Sequence, residues 1–368
     1  MPAFRRTVLT LAIVGSLSLG LAACQRTAEP APETGAATQA QAEVEARPSR
    51  QYAIEEFVES VGVGGASFSA DESRILFSSN KSGVWNAYTM PVGGGEWTAV
   101  TASDTDNIYA EAFFPDDDRV LVSRDEGGNE LDHLYVIEAD GSERDLTPGE
   151  NLKAGFMGFS HDGDAFYVIS NERDAKFFDV YRYDADDYER ELVYRNDAGY
   201  EPGEISPDGR WLALSQTHTT NDNDLYVAEL ATGKLTKVSE HEGQAQFAAE
   251  AFSPDGQWLY YTANDQGEFA ALRRVDLQTW EHEPVRSADW DIVDAALSHD
   301  GTYLAVATNV DGSTGVQLFK AATGEEIALP DFPAGEVRNL RVSRSEDKLA
   351  FYLNGDRQPN DLYVLDLA

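Results

Sequence analysis

The sequence predicts an all-β fold, a seven-bladed β-propeller built from four-stranded antiparallel blades. A short turn phrase returns seven times along the chain, at intervals of about 46 residues. Each interval holds about four short apolar runs of strand length, and no helical periodicity of useful length accompanies them. A β-helix would need a much shorter period, and a β-sandwich would not repeat the same turn. Seven repeats fall within the usual range of about four to eight blades.

The repeated phrase joins the first two strands of each blade. It is an apolar residue followed by Ser-Pro-Asp-Gly, which is complete at Ser206–Gly209 and at Ser253–Gly256. The apolar residue ends a buried strand, and the four residues after it supply the turn geometry and its side-chain caps. The seven apolar residues are Phe68, Phe113, Phe159, Ile205, Phe252, Leu297 and Val342.

Three further strands follow the phrase in a complete repeat. In the fourth repeat they are Trp211–Ser215, Leu225–Val227 and Lys234–Val238. The seventh repeat supplies only three strands in all. We therefore expect a last blade that is incomplete, because the chain is cut inside a longer protein, or one that the N-terminal strand Gln51–Ile54 closes. The propeller is assigned to residues 51–368.

The first residues follow the order of a bacterial lipoprotein signal peptide, which we assign to residues 1–23. Arg5 and Arg6 precede an apolar run that is too short for a comfortable membrane span and that ends at Leu21–Cys24. Small residues there admit a signal peptidase, and the thiol of Cys24, the single cysteine, is the predicted site of lipid attachment. An ordinary signal peptide followed by a chance cysteine is the alternative.

Residues 24–50 are rich in Ala, Glu, Pro, Thr and Gln, and we predict that they form a disordered tether. Gln25 follows the cysteine as in outer-membrane lipoproteins, so we expect a lipid-anchored protein of the cell envelope, facing the periplasm. The net charge of −37 repels phosphate backbones and anionic lipid. Nucleic acid is therefore not an expected partner, and the membrane is expected to be contacted only through the lipid anchor.

Four longer phrases lie outside the repeat turns: Ser78–Gly83, Arg124–Tyr135, Asn171–Asp174 and Phe351–Arg357. They resemble sequences of a known family, the bacterial prolyl oligopeptidase family of serine peptidases. The chain from residue 51 to residue 368 is similar to the amino-terminal propeller of that family, which includes dipeptidyl peptidase and acylaminoacyl peptidase relatives. The resemblance implies an α/β-hydrolase domain with a Ser, Asp, His triad after the propeller. It also implies a propeller that covers the active site and admits short or unfolded peptides.

Catalytic residues are not assigned in this sequence. A nucleophile elbow needs Gly-x-Ser-x-Gly, and the closest string, Gly65–Ser69, fails at its last position. We expect the non-catalytic, substrate-gating propeller of a secreted serine peptidase, truncated before the hydrolase domain, with a peptide or that domain as partner. The alternative is a self-sufficient TolB-like periplasmic lipoprotein that acts as a protein-binding module.

Two charged loops between second and third strands are the candidate peptide-binding segments. Their side chains could meet the amine or carboxylate of a peptide at the channel mouth. The alternative is that an arginine–carboxylate pair only orders the loop. The candidate residues are Arg124, Glu126, Glu130 and Arg173.

The innermost strands place acidic residues before the repeat turns, and we expect them to line the channel: Glu111, Glu204, Glu250 and Asp294.

No metal site and no cofactor are expected. Asp104 and Asp106 begin like a calcium loop, but Ile108 stands where the third ligand belongs. His161 and His299 replace proline in the repeat turn, and no two of the six histidines have the spacing of a local ligand pair. Structural roles are therefore assigned to the histidines.

Overall fold

The computed structural model describes residues 50–356 and 358–367. The chain divides into two units, residues 1–54 and residues 55–368. The signal peptide, Cys24 and nearly all of the tether lie outside the described residues, so the predictions about them stay predictions. Within the described part of the chain, no helix is long and apolar enough to cross a membrane.

In the described residues, twenty-seven strands form seven antiparallel sheets, one for each sequence repeat. The first three blades contain β1 Val63–Phe68, β2 Arg74–Ser79, β3 Asn86–Pro91 and β4 Thr98–Ala99; β5 Tyr109–Phe113, β6 Val120–Arg124, β7 His133–Ile137 and β8 Glu143–Asp145; and β9 Ala154–Phe159, β10 Ala165–Asp174, β11 Phe177–Asp184 and β12 Arg190–Tyr194. The next two contain β13 Glu201–Ile205, β14 Trp211–Thr219, β15 Asp222–Glu229 and β16 Lys234–Lys237; and β17 Phe247–Phe252, β18 Trp258–Ala263, β19 Ala271–Asp276 and β20 His282–Arg286. The last two contain β21 Ile292–Leu297, β22 Tyr303–Val310, β23 Ser313–Lys320 and β24 Glu326–Ile327; and β25 Glu336–Val342, β26 Lys348–Gly355 and β27 Gln358–Asp366.

The strands of each blade follow one another in chain order as an antiparallel meander. Six sheets have four strands, and the seventh has three among the described residues. Gln51–Ala53 form no strand, and Ile54–Val58 form a short helix, α1. The predicted seven-bladed propeller is confirmed. Of the two alternatives for the last blade, the described residues have the incomplete one, and the predicted N-terminal closing strand is not formed.

The repeat turns have the geometry that their sequence predicts. In the fourth blade Ser206 Oγ donates to Asp208 Oδ1 at 2.6 Å and accepts from the Trp211 amide at 2.9 Å. Gly209 has a φ of 66°, a conformation that glycine adopts without steric cost. Ser253 makes the same pair of contacts in the fifth blade. These turns fix how the second strand follows the first.

Seven apolar clusters hold the blades together, and each lies between two neighbouring blades. Val180 of the third blade, for example, packs in one cluster with Leu212 of the fourth. Phe77 of the first blade shares a cluster with Ala350 of the seventh, so the ring is closed by apolar packing. Each large side chain that is buried in this way contributes about 1.5–3 kcal/mol to folding.

The ring has two faces with different connections. The turn face carries the repeat turns and the turns between third and fourth strands. The loop face carries the loops between second and third strands and the connections between blades. This division follows from the alternating direction of the strands in each blade.

Candidate functional site

The first strands of the seven blades surround a cavity of about 540 Å³. All seven contribute to its wall, close to where each strand meets its repeat turn. Each first strand has an irregular register against its second strand, and such bulges redirect side chains. Glu111 and Glu250 lie at two of these irregularities, and Glu111 is one of the residues that line the cavity.

Glu111 and Glu250 each accept a hydrogen bond from a hydroxyl of the second strand of their own blade. Ser123 Oγ donates to Glu111 Oε1 at 2.5 Å, and Thr262 Oγ1 donates to Glu250 Oε1 at 2.6 Å. Burial raises the pKa of both carboxyls. For Glu250 the nearby charge of Asp294 adds to burial, and the pKa reaches about 7. Glu250 therefore exchanges its proton near neutral pH.

One arginine faces these acids. Arg341 and Glu204 both line the cavity. Burial raises the pKa of Glu204 and of Asp294, while the positive charge of Arg341 opposes both shifts. The charge of Glu204 also helps to raise the pKa of Glu250. Glu204, Glu250 and Asp294 thus act on one another, whereas the charge that acts on Glu111 is that of Asp132. Of the four acids that the sequence places before the repeat turns, Glu111 and Glu204 line the cavity, together with Arg341.

The channel is crossed at the turn face by side chains from distant blades. The rings of His161 and His299 stack with their centroids 4.0 Å apart and their planes 8° from parallel. Arg344 of the seventh blade reaches Asp116 Oδ1 at 3.3 Å and donates to the Asp162 carbonyl at 3.2 Å. These contacts narrow the channel at this face.

Arg124, a sequence-predicted binding residue, is engaged within its own blade. Its guanidinium donates two hydrogen bonds to Glu143 on β8, at 2.8 and 2.7 Å, and lies 3.9 Å from the centre of the Tyr135 ring. The pair is partly exposed. The carboxylate partner of Arg124 is therefore a strand residue and not Glu130 of the loop.

Glu126 and Glu130 lie exposed in the loop that follows Arg124. The Glu130 amide donates to Asp125 Oδ2 at 2.8 Å, and Glu130 has a φ of 60°. This backbone contact shapes the loop and leaves both carboxylates on the loop face, where a cationic group could approach them.

Arg173 holds its own blade together. It donates to both carboxylate oxygens of Asp179, at 2.5 and 2.7 Å, and to the Asn196 carbonyl at 2.8 Å. The Asp179 side chain is fully buried, so it needs this partner. Of the four candidate binding residues, the two arginines are committed to carboxylates and the two glutamates remain exposed.

Sequence reasoning missed Arg341. It directly precedes the apolar residue of the seventh repeat, a position that holds small residues or Glu204 in the other blades. Comparing that one position across the repeats would have found it.

Comparisons with known proteins give consistent results. A family model described as "Prolyl oligopeptidase, N-terminal beta-propeller domain" matches residues 101–368. Dipeptidyl aminopeptidase BIII of Pseudoxanthomonas mexicana is 27% identical over 249 residues, which cover 66% of this chain and 36% of that protein. The Tol-Pal system protein TolB of Alcanivorax borkumensis is 32% identical over 101 residues, 27% of this chain and 23% of that protein.

Among solved structures, a prolyl endopeptidase superposes with a TM-score of 0.64 at 14% identity, covering 84% of this chain and 48% of that one. This likeness shows the fold. The chain spans about a third of the length of the dipeptidyl aminopeptidase and about half of the prolyl endopeptidase.

Proposed function

Because the chain belongs to the prolyl oligopeptidase family, we propose that its propeller is the non-catalytic, substrate-gating part of a secreted serine peptidase. The 368 residues contain no Gly-x-Ser-x-Gly string. We therefore assign hydrolysis of the peptide bond to a hydrolase domain outside these residues. We assign selection of the peptide to the propeller.

The central cavity carries this proposal. Its volume of about 540 Å³ lies within the range of small-ligand sites, about 300–1,000 Å³. A cavity of this size suits a short stretch of extended peptide and excludes a folded domain. The stacked pair His161 and His299 restricts passage further at the turn face.

The charges of the wall match the two ends of a short peptide. Glu111 and Glu204 can attract an amine, and Arg341 can attract a carboxylate. Both kinds of charge lie in a space that seven strands shield from bulk water, where an ion pair is stronger than at an open surface. We therefore expect zwitterionic peptides of a few residues as ligands.

Peptide binding to the full-length chain with Cys24→Ser, which removes the acylation site, tests the proposal. We expect saturable binding of fluorescent tri- to hexapeptides by anisotropy, and no hydrolysis of them. Arg341→Ala and Glu204→Gln should each weaken binding by about tenfold, the loss of one charged contact. Glu325→Gln, which alters an exposed ion pair with Lys320, is the control.

Equal binding by all four proteins would place the peptide elsewhere and refute the gating role of the cavity. Turnover that a serine-directed inhibitor abolishes would refute the non-catalytic assignment.

A protein-binding module of the TolB kind is a second candidate, supported by the identity to TolB over part of the chain. Capture of a folded envelope protein, unaffected by Arg341→Ala, together with no peptide binding, would favour it.

We also propose that Cys24 anchors the chain to the cell envelope through a lipid, as its position after small residues supports. Cells fed a labelled fatty acid should label the wild-type chain and not Cys24→Ser. Labelling of both would exclude this cysteine as the attachment site.

A further inference from the structure

The proline position of the repeat turn holds histidine in two blades that are not neighbours; Ala70 and Arg344 stand there in two others. Proline stands there in three repeats, and it favours the turn because its φ is fixed in advance. His161 and His299, in the third and sixth blades, do not have this fixed φ.

The two histidines meet across the ring. They come from blades separated by two others, and yet their rings stack at 4.0 Å. Both rings are half-buried at the end of the cavity. Because side chains 138 residues apart converge here, no local spacing in the sequence could reveal the pair.

Asp300 completes a group of three donors. One nitrogen of each ring and one carboxylate oxygen of Asp300 all lie within 4.8 Å of one another. The Asp300 amide donates to Glu346 Oε1 at 2.8 Å, and Arg344 contacts the carbonyl of Asp162, beside His161. Both donor-bearing turns are thus held by residues of the seventh blade.

We propose that His161, His299 and Asp300 bind a divalent transition metal ion, with zinc as the best match. Two imidazole nitrogens and one carboxylate oxygen are zinc ligands, and three protein ligands leave a fourth position for water or an anionic group. A tetrahedral ion with bonds of about 2.0–2.2 Å needs donors about 3.3–3.6 Å apart. Because the donors lie within 4.8 Å of one another, they have to approach by at most about 1.5 Å. The stacked rings also have to turn so that both nitrogens face one ion, and side-chain rotation of the two half-buried histidines and the exposed Asp300 provides this change.

The electrostatic surroundings agree with a cation site. The guanidinium of Arg344, which lies near His299, is directed at Asp116 and at main-chain carbonyls. Asp300 and Glu346 add negative charge beside His299. The site would tie the third blade to the sixth across the channel.

Zinc titration of the full-length chain carrying Cys24→Ser tests this inference, because that change removes the only thiol. After dialysis against EDTA, calorimetry should show one saturable ion per chain. His161→Ala with His299→Ala should abolish saturable binding. Asp300→Asn should weaken it by about tenfold or more, since even outer-shell changes cost about 10–100-fold.

His133→Ala is the matched control, because His133 also lies beside a carboxylate, 3.4 Å from Asp145, but within a single blade. It should leave binding unchanged. Circular dichroism in EDTA reports whether each variant folds, and if the double variant does not, the exposed Asp300→Asn decides. No saturable zinc binding, or equal binding by wild type and Asp300→Asn, would overturn the inference. Its outcome is independent of the peptide-binding experiment.

Discussion

The pKa values of four carboxyl groups on the first strands of the blades differ from those in open water. Glu250 combines burial with the charges of Asp294 and Glu204, and these raise its pKa from 4.5 to about 7. The pKa values of Glu111, Glu204 and Asp294 are raised as well. The channel therefore becomes more negative as the pH rises through neutrality, which couples its charge to the acidity of the medium.

In Glu250→Gln the free energy of unfolding should fall less as the pH rises. Between about pH 4.5 and pH 7, the Glu250 carboxyl keeps its proton in the folded chain but has lost it in the unfolded chain. Its contribution to the stability of the folded chain is therefore complete only below about pH 4.5. The contribution is lost as the pH rises towards 7. In Glu250→Gln the fall in the free energy of unfolding between about pH 5 and pH 8 should be smaller by about 1–2 kcal/mol.

Urea denaturation at several pH values measures this effect. Glu325→Gln, at an exposed residue just before β24, should follow the wild type. A Glu250→Gln variant whose stability falls with pH as steeply as that of the wild type would contradict the raised pKa.

The two candidate arginines offer a second contrast at the residue scale. Arg173→Ala leaves the fully buried Asp179 without its partner, whereas Arg124→Ala breaks a partly exposed pair with Glu143. Exposed pairs contribute about 0–1 kcal/mol, and unpaired buried charges cost far more. Arg173→Ala should therefore lower the urea midpoint several times more than Arg124→Ala.

The same two variants distinguish a structural role of Arg124 from a role in peptide binding. If Arg124→Ala keeps the stability of the wild type and loses peptide affinity, Arg124 has the binding role that its loop suggested. A stability loss equal to that of Arg173→Ala would show instead that its role is structural.

At the scale of single elements, the repeat turn fixes each blade and also contacts its neighbour. A Cβ at Gly209 would lie 2.5 Å from the Tyr167 hydroxyl of the third blade, and one at Gly256 would lie 2.7 Å from Asp208. Each of these glycines is needed twice, for its left-handed backbone and for the close approach of the next blade. This explains why Gly ends the complete form of the phrase.

Gly209→Ala should lower the free energy of unfolding more than the replacement of a left-handed glycine ordinarily does. Gly233 has a similar φ, 69° against 66°, and a Cβ there would meet nothing within 4 Å. Gly233→Ala should therefore cost about 1 kcal/mol from backbone strain alone. Gly209→Ala should cost about 2–3 kcal/mol, because Tyr167 must also move. Equal losses in urea denaturation would contradict the contact between the turns and the neighbouring blade.

At the scale of the whole molecule, the ring is closed by side chains. Besides the apolar cluster between the first and seventh blades, the Tyr352 hydroxyl donates to the Gly65 carbonyl at 2.5 Å and Asn360 Nδ2 donates to the Val63 carbonyl at 2.9 Å. In the described residues no strand covers the outer edge of β27. An uncovered edge is the weak point of a sheet, and it is also open to pairing with another strand.

Hydrogen exchange should show this difference between blades. The amides of β27 that point away from β26 have no ladder partner among the described residues, whereas β15 is covered by β16. We expect faster exchange in β27 than in β15 by mass spectrometry of the full-length chain. Equal protection would mean that a further strand covers β27.

Much of this architecture is readable from the sequence, because the blade repeats. The spacing of Phe68, Phe113 and their counterparts predicted seven blades, and the turn chemistry at Ser206–Gly209 predicted its own hydrogen bonds. The positions of Glu111 and Glu204 before the turns were enough to expect acids in the channel lining, where both lie, whereas Glu250 and Asp294 are not among the residues that line the cavity. Each of these inferences depends on neighbours along the chain or on a period of about 46 residues, which the sequence displays directly.

The partners of charged side chains were decided only by the tertiary structure. Nothing near Arg124 in the sequence identifies Glu143 as its carboxylate, and nothing links His161 to His299 or Arg341 to Glu204. These contacts join strands and blades that only the closing of the ring brings together. Closure of the ring fixes which side chains face the common axis. The sequence by itself determines the blades, but it does not determine which charged or aromatic side chains meet between strands and blades.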